Sequence, residues 1–453
     1  MIVISHRGPA RFEQRADGSF EARQGSGGLA AALTPLLADR SGVVWIAAAL
    51  SDDDRAATRA GAAHVGDADL RLLDLDVHTH RLHLDLVSNG TLWFLHHGLF
   101  DLIRRPRFDD RFEEAWAAYE SVNRAFAGAA AESAPEGEVV LVQDYQLSLV
   151  PRMLRDARPD LRVVHFSHTP FCGPNSIRVL PDRVSSALLE GLAAGPCGFH
   201  SERWARAFVA STREIHADAS PQTFVSSLGP DPDMLAREIE NPATVAASQE
   251  LGEMLGDQRL LLRVDRIEPS KNIVRGFLSY DLLLERAPEH RGAVVFLAML
   301  HPSRASMPEY QAYANEVVTA AARVNDRWAT ADWTPIIVET RDDFNRTIAG
   351  YLRYDALLVN PIRDGLNLVA KEGPLCNTRD GVVCLSPDAG AFDELSDGVV
   401  AAHPFDLVAT AGALHQALTM PADERARHAK VLKRAAAART PADWLSDQLS
   451  AAG

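Results

Sequence analysis

The sequence predicts an α/β fold in which two doubly wound, parallel sheets form successive domains. Short apolar runs of strand length, such as residues 2–5 and 356–359, alternate with segments of helical pattern. Unbroken apolar runs are typical of parallel strands that are covered on both faces. The alternation pauses at Pro230-Asp231-Pro232 and then starts again. With 453 residues, the chain is long enough for two such domains.

The first domain is predicted over residues 1–228. Its apolar strands lead into polar residues and then into helical segments, which is the order found in doubly wound sheets. Residues 11–23 alternate around Asp17-Gly18, as expected of a β-hairpin. Trp116, Tyr119 and Phe126 are expected in the core. The predicted strands are residues 2–5, 43–48, 138–143 and 161–167, and the predicted helices are residues 29–38, 101–133 and 147–156.

The second domain is predicted over residues 229–438, and residues 439–453 are predicted to hold a final helix. The same strand–helix alternation defines this domain. Its predicted strands are residues 260–264, 293–299, 336–338, 356–359 and 382–386.

Composition and charge narrow the class of protein. Apolar residues make up 47% of the chain and charged residues 24%, as in ordinary globular proteins. The net charge of −15, from 46 basic and 61 acidic side chains, argues against nucleic acid or an anionic membrane as a partner. No apolar run approaches the length of a membrane span, and no basic and apolar leader precedes the first strand. We therefore expect a cytoplasmic protein whose four cysteines stay reduced.

Residues 356–372 combine a strand, a turn and a helix start. Pro361 stops the strand, Gly365 supplies a flexible turn, and the pattern predicts a helix from Leu366. The unpaired amides and the positive dipole end of such a helix form a site for phosphate. Asp364 lies where it could bind a sugar hydroxyl. Glu372 follows roughly 12 Å along the helix, a distance that suits a nucleotide ribose. Alternatively, Asp364 caps the helix and Glu372 is a surface acid.

A second motif runs through residues 261–272. A buried strand delivers Arg266, and Ser270 is expected to cap the next helix. Lys271 would then lie in the first helical turn, where a cation opposes the helix dipole unless an anion binds nearby. Without such an anion, Lys271 is an ordinary surface lysine.

Two further patterns carry less information. The cluster Gly25-Ser26-Gly27-Gly28 precedes a helix and could bring backbone close to a phosphate, although such clusters are usually flexible turns. Asp52-Asp53-Asp54 could chelate a metal, but acidic residues are commoner in the first turn of a helix. The cysteines have no zinc-binding spacing. The sequence therefore predicts no metal site, and the absence of a Gly-x-Gly-x-x-Gly fingerprint argues against a dehydrogenase.

These motifs resemble those of the trehalose-6-phosphate synthases, a family of retaining glycosyltransferases known as family 20. The resemblance covers nearly the whole chain, including Leu92-Trp93, Trp204, residues 359–372 and Trp444. It implies the GT-B architecture, with two Rossmann-like domains facing across a cleft and the last helix crossing back to the first domain. The implied reaction joins a nucleotide-activated glucose to glucose 6-phosphate, with retention at C1 and without a metal or other cofactor.

The resemblance also implies roles for individual residues on the donor side. Arg266 and Lys271 match the pair that grips the donor diphosphate and assists its departure. Asp144 and His168, which follow two predicted strands, match residues that line the transferred glucose, and these four residues are the catalytic candidates. Other matches on the donor side are Gly27, Asp364, Gly365, Leu366, Asn367, Leu368, Val369 and Glu372.

On the acceptor side, Arg7 and Arg304 match arginines that hold the sugar phosphate, and Trp93 and Asp144 match other acceptor residues. One position departs from the family pattern. A tyrosine that contacts the acceptor phosphate is expected nine residues before Trp93, and this chain has Leu84 there. A phosphate-binding hydroxyl is therefore missing.

Several properties stay open at this point. The residues around Arg266 are most similar to those of actinobacterial members, which favours GDP-glucose over UDP-glucose as the donor. Two other functions fit the same motifs: a pseudoglycosyltransferase of the validamycin type, which couples a nucleotide-cyclitol to an aminocyclitol phosphate, and a non-catalytic sensor of sugar nucleotides. Assembly into a homo-oligomer is also open.

Overall fold

The computed structural model describes residues 1–24, 28–38, 42–65 and 68–453. The chain forms two compact units, the first made of Met1–Leu228 with Pro441–Gly453 and the second of Gly229–Thr440. The second unit thus ends beyond the predicted boundary at 438. No helix within the described ranges is both long and apolar enough to cross a lipid bilayer.

The strands form one wholly parallel sheet, one sheet that is parallel except at an edge strand, and one hairpin. Strands β1 to β16 are, in chain order, Ile2–Ile4, Ala10–Gln14, Phe20–Gln24, Val44–Ala48, His64–Val65, Ala68–Leu73, Val139–Gln143, Arg162–Ser167, Cys197–Phe199, Thr223–Val225, Arg259–Arg266, Val294–His301, Ile336–Glu339, Ala356–Val359, Val382–Leu385 and Val400–Ala401. The first sheet has the order β10-β9-β8-β7-β1-β4-β6-β5, and the second has the order β13-β12-β11-β14-β15-β16. Pairing is parallel throughout the second sheet, whereas β5 is antiparallel to β6 in the first.

Helices connect successive parallel strands. Helices α1 to α19 are, in chain order, Gly28–Ala38, Asp52–Arg59, Val77–Arg81, Trp93–His97, Asp110–Ser133, Val150–Ala157, Pro174–Ile177, Asp182–Leu192, Glu202–Ile215, Pro232–Glu240, Pro242–Leu255, Ile273–Arg286, Pro308–Trp328, Phe344–Arg353, Val369–Cys376, Phe392–Leu395, Leu407–Thr419, Ala422–Ala436 and Pro441–Ala451. A π-helix, Leu82–Leu92, joins α3 to α4.

Burial accounts for the apolar sequences of the central strands in the first unit. Every residue of β1 and β7 is buried, as expected for strands covered on both faces. Trp116, Tyr119 and Phe126 on α5 are buried as predicted. The predicted helix over 101–133 begins later, at Asp110, because Asp109 caps it by accepting a hydrogen bond from the Phe112 amide.

The predicted hairpin is present as β2 and β3, which pair in antiparallel register. The acidic triplet 52–54 lies in the first turn of α2, as its commoner interpretation predicted. Ser51 and Asp54 form a capping box there, and Oδ1 of Asp54 accepts a 2.8 Å hydrogen bond from the Phe12 amide. Asp54 therefore has a structural role that joins the hairpin to α2.

Candidate functional site

The loop between β11 and α12 places Lys271 beside two acidic side chains. Its Nζ lies 2.5 Å from Oδ2 of Asp364 and 4.0 Å from Oδ1 of Asp265. Burial would lower the pKa of Lys271, but these carboxylates outweigh burial and raise that pKa above its ordinary value. The ammonium group is therefore charged and held in one place, at the carboxyl end of β11, where open α/β sheets bind their ligands.

Glu268 holds two arginines through one carboxylate oxygen. Oε1 of this buried side chain lies 3.1 Å from Nε of Arg266 and 3.7 Å from Nη1 of Arg304. The same oxygen accepts a 2.9 Å hydrogen bond from the Ser303 hydroxyl. Burial would raise the pKa of Glu268, but the neighbouring cations lower it to about 2. Glu268 is thus an anion that positions both guanidinium groups, a role that sequence analysis missed.

Arg263 supports the same loop from inside the unit. Its fully buried guanidinium donates to the Lys271 carbonyl oxygen and to Oδ1 of Asn360 at 2.7 Å, and it pairs with Asp265 at 2.9 Å. A planar guanidinium can serve several acceptors at once. Gly276 leaves room for this group, since a Cβ there would lie 2.6 Å from Nη1 of Arg263. The signal in the sequence was Arg263, the one charged residue in the apolar predicted strand of residues 260–264.

The prediction that Ser270 caps the next helix is wrong. Lys271 belongs to a 3₁₀ turn, and α12 begins at Ile273 after Asn272, whose φ of 61° lies in the left-handed region. The Tyr313 hydroxyl oxygen accepts a 2.7 Å hydrogen bond from the Ile273 amide. A side chain distant in sequence therefore satisfies the helix start, which local pattern could not reveal.

The turn after β14 presents unpaired amides at the start of α15. This helix begins at Val369 rather than at Leu366 as predicted, because Asn367 adopts a left-handed φ of 85°. Oδ1 of Asn367 accepts a 3.2 Å hydrogen bond from the Ala370 amide. Over the ranges that the structure describes, the backbone amides of residues 366–369 donate no hydrogen bond. These amides, at the positive end of a helix, form an arrangement suited to an anion.

Asp364 connects this turn to the lysine rather than capping the helix. Its Oδ2 contacts Lys271 and accepts a 3.1 Å hydrogen bond from Nδ2 of Asn367. The turn packs tightly, since a Cβ at Gly390 would lie 2.0 Å from the Gly365 carbonyl oxygen. Asp364 therefore sets the distance between the ammonium group and the amides.

Glu372 is partly exposed on α15, with Tyr351 as its neighbour. Burial raises the pKa of Glu372 to about 7, and the Tyr351 hydroxyl, which donates to Oε2 at 3.5 Å, opposes this shift. A carboxyl group with such a pKa changes charge near neutral pH. It is not the ordinary surface acid of the alternative interpretation.

In the first unit, Asp144 and His168 lie together at the ends of β7 and β8. Oδ1 of Asp144 accepts a 3.1 Å hydrogen bond from the His168 amide. The imidazole contacts Oε1 of Gln143 at 3.0 Å and Nε2 of His200 at 3.1 Å. Burial and the other imidazoles lower the pKa of His168 well below its ordinary value, so the ring is neutral at pH 7. Asp144 has a φ of 71°, a strained conformation often found at functional sites.

The predicted acceptor residues occupy separate elements. Arg7 is exposed shortly after β1, and Trp93 is buried at the start of α4, where it stacks on His97 at 3.9 Å between ring centroids. Leu84 lies in the π-helix. Gly27 falls outside the described residues.

Most of the predicted site residues that the structure describes thus form one group in each unit. The second unit brings together Arg266, Lys271, Arg304, Asp364 and the amides of residues 366–369, and the first unit pairs Asp144 with His168. A surface groove of about 550 Å³ between α11 and α14 contains none of these residues.

Comparison with known proteins identifies the family. A family model described as Glycosyltransferase family 20 matches residues 1–452. The trehalose-6-phosphate synthase of Mycobacterium marinum is 31% identical, and the match covers 99% of this chain and 93% of that protein. The UDP-forming alpha,alpha-trehalose-phosphate synthase A of Dictyostelium discoideum is 32% identical over 98% of this chain. The chain spans 61% of that relative and 46% of a similar Arabidopsis thaliana protein, about half the length of these two curated relatives.

Solved structures share the fold. A UDP-forming alpha,alpha-trehalose-phosphate synthase from Burkholderia vietnamiensis superposes with a TM-score of 0.85 at 28% identity, covering 99% of both chains. The enzyme from Burkholderia xenovorans in complex with glucose-6-phosphate gives a TM-score of 0.85 at 25% identity, covering 99% of this chain and 98% of that one. The predicted α/β fold of the GT-B type is therefore confirmed. The chain belongs to glycosyltransferase family 20.

Proposed function

We propose that the protein is an alpha,alpha-trehalose-phosphate synthase, which transfers glucose from a nucleoside diphosphate to glucose 6-phosphate with retention at C1. The observation that carries this proposal is the placement of Lys271, Arg266 and the amides of residues 366–369 at the strand-to-helix turns that follow the neighbouring strands β11 and β14 of the second unit. Such a group can bind a diphosphate by charge and by hydrogen bonds. Relatives named as trehalose-phosphate synthases support the choice of reaction.

The proposed chemistry is electrostatic. As the bond between C1 of glucose and the diphosphate oxygen breaks, negative charge grows on that oxygen. The Lys271 ammonium and the amides at the start of α15 stabilise this charge because they are already held in place, so little reorganisation is needed. The acceptor hydroxyl enters on the face that the diphosphate leaves and delivers its proton to a leaving phosphate oxygen.

Other proposed contacts follow the resemblance. Glu372 binds the ribose hydroxyls of the donor, and Asp144 and His168 bind hydroxyls of the transferred glucose. Arg7 and Arg304 hold the acceptor phosphate. The similar Burkholderia xenovorans enzyme was solved in complex with glucose-6-phosphate, which supports the same acceptor here, although Leu84 removes one hydroxyl.

For the donor, we favour GDP-glucose over UDP-glucose, on the similarity of residues 264–276 to actinobacterial members. The relatives from Dictyostelium discoideum and Schizosaccharomyces pombe are named as UDP-forming, so UDP-glucose is the donor to compare first. We further propose that transfer requires no metal and takes place in the cytoplasm.

A donor-by-acceptor matrix tests the proposal. UDP-, GDP- and ADP-glucose are each combined with glucose 6-phosphate or free glucose, and product mass and anomeric configuration are measured. We expect an α,α-linked disaccharide phosphate only with glucose 6-phosphate, with GDP-glucose giving the highest kcat/KM, and activity that survives EDTA. Binding of sugar nucleotide without turnover in any combination would instead identify a sensor.

A further inference from the structure

We infer that the first unit contains a metal site for a divalent cation of the zinc type, formed by the imidazoles of His6, His80 and His83. Nitrogen ligand atoms of these three side chains lie within 4.8 Å of one another. None of the three residues belongs to the proposed donor or acceptor groups, so the site is an addition to the proposed function and does not depend on it.

The local fold brings the three rings together. His6 follows β1, at the carboxyl end of a central strand. His80 lies in the last turn of α3 and His83 is the second residue of the π-helix Leu82–Leu92, so the spacing of three residues places them on one helical face. π-Helices are often found at functional sites. Sequence analysis could not connect His6 with a pair so distant in the chain.

Hydrogen bonding fixes the proton on His83. Its Nε2 lies 2.9 Å from the Gln146 carbonyl oxygen, which can only accept, so Nε2 carries the proton. With its proton on Nε2, the neutral ring has a lone pair on Nδ1. This Nδ1 is buried and has no hydrogen-bond partner among the described residues. A metal-bound histidine usually donates its other N–H to a carbonyl or carboxylate, which is the arrangement of His83.

The other two rings complete the ligand set. Nε2 of His6 and Nε2 of His80 lie 2.7 Å apart, a hydrogen-bond distance, so a bound cation would replace the proton that these two nitrogens share. A zinc ion with ligands at about 2.0–2.1 Å needs neighbouring nitrogens about 3.4 Å apart, which requires shifts of about an ångström. His6 is 5% exposed and His80 is partly exposed, so a cation can enter past His80.

The donor set selects the metal. Imidazole nitrogen suits zinc, cobalt, nickel and copper, whereas magnesium and calcium prefer oxygen ligands. Three imidazoles leave a fourth tetrahedral position open. Two arginines lie near the group, since Arg55 lowers the pKa of His80 and Arg7 lowers that of His6, in each case less than burial does. Arg55 is paired with Asp52 at 2.8 Å and with Asp74 at 2.9 Å, which offsets its repulsion of a metal.

A second histidine group in the other unit provides a control. His290 and His415 lie with Glu289, but the Arg259 guanidinium donates to Nδ1 of His290. Nε2 of His290 must then carry the proton that it donates to Nδ1 of His415 at 3.0 Å. Because arginine does not give up its proton, Nδ1 of His290 stays occupied, so this group should not bind a metal tightly.

The test titrates Zn²⁺ into tag-free, chelator-treated protein in competition with a chromophoric chelator. We expect one tight site per chain, an affinity at least about tenfold lower for His80→Ala, and a similar loss for His6→Gln. His78→Ala, on an exposed histidine of the same helix, and His415→Ala should bind like the original protein. Mg²⁺ in excess should not compete.

Two further readouts separate metal binding from folding. Circular dichroism without metal must show that His80→Ala is folded, and Zn²⁺ should raise the Tm of the original protein but not of this variant. Co²⁺ should give the visible absorption of a nitrogen-ligated ion only when all three histidines are present. Equal Zn²⁺ affinity in the original protein and both ligand variants, or loss of the site in His78→Ala or His415→Ala alone, would overturn the inference.

Discussion

At the scale of single residues, the candidate site depends on charges that are paired before any ligand arrives. Lys271 is held by Asp364, and Arg266 and Arg304 are held by Glu268. A cation fixed in this way loses little side-chain entropy when a diphosphate binds. Its arrangement also favours the transition state, in which the leaving diphosphate carries more negative charge than the bound donor.

Replacing Lys271 by Ala should lower kcat by about 10²–10³-fold, because the leaving oxygen loses its ammonium partner. Lys430→Ala, on an exposed side chain of α18, is the matched control and should keep normal turnover. Steady-state kinetics and near-ultraviolet circular dichroism of both variants check this expectation. A Lys271→Ala enzyme that is folded and turns over at a near-normal rate would rule out the assigned role.

Glu372 should make donor binding depend on pH. Burial raises its pKa from 4.5 to about 7, so the carboxyl group of the donor-free enzyme is half protonated near pH 7 and becomes a full acceptor for ribose hydroxyls above it. The donor KM should therefore fall as pH rises through about 7, and Glu372→Gln should abolish this pH dependence of the donor KM. If the donor KM of the variant keeps the same pH dependence, another titrating group is responsible for it.

The same shift has a defined effect on stability. The folded protein keeps the Glu372 proton to a higher pH than the unfolded chain does, so this group lowers the free energy of unfolding as pH rises from about 4.5 to about 7. Denaturant titrations of the original protein and of Glu372→Gln, across that interval, should differ in slope with this sign.

At the scale of elements, the site consists of two strand-to-helix turns that are shaped by contacts from elsewhere. The β11–α12 turn relies on Tyr313 from α13 and on buried Arg263, and the β14–α15 turn relies on the close approach of Gly390. Sequence pattern predicted both strands, and the resemblance to family 20 implied that Arg266, Lys271 and Asp364 belong to one donor site. It misplaced both helix starts because the determining contacts are non-local.

Gly390→Ala should move the β14–α15 turn, since the added Cβ would lie 2.0 Å from the Gly365 carbonyl oxygen. We expect a higher donor KM and a lower Tm. Gly412→Ala, on α17, is the control. A Cβ added there would have no described atom of another element within 4 Å, and alanine should stabilise the helix by about 0.5–1 kcal/mol. Thermal unfolding and donor kinetics of the two variants check the contrast, and a Gly390→Ala enzyme that matches the original would contradict it.

At the scale of the whole molecule, the proposed binding roles belong to different units. The cations and amides proposed for the diphosphate all belong to Gly229–Thr440, a unit with its own six-stranded sheet. Sequence pattern predicted the principal strands of both sheets, because apolar runs report burial directly. It missed β5, β9, β10 and β16, which have only two or three residues each, since such short strands show no periodic pattern. It also missed β6, a six-residue strand with two charged residues. It also missed the histidine group, because His6 is close to His80 and His83 only in the fold.

The second unit alone should therefore bind nucleoside diphosphate. A fragment of residues 229–440 is expected to retain affinity for GDP or UDP within about tenfold of the full chain, a difference of about 1.4 kcal/mol. Isothermal titration calorimetry measures the affinity, with the Lys271→Ala fragment as the control. A folded fragment that binds no more tightly than this control would show that the first unit supplies the main contacts.

Glu268 has one more consequence, for the order in which substrates assemble. Arg266 is proposed to engage the donor and Arg304 the acceptor, yet both guanidinium groups share a single carboxylate oxygen. A substrate anion that binds one of these arginines weakens its ion pair with Glu268, and the ion pair of the other arginine changes in response. Binding of the donor and binding of the acceptor then become thermodynamically linked, and each substrate changes the affinity for the other by the same factor. Cooperative binding of donor and acceptor would then depend on Glu268, a buried side chain that contacts neither substrate.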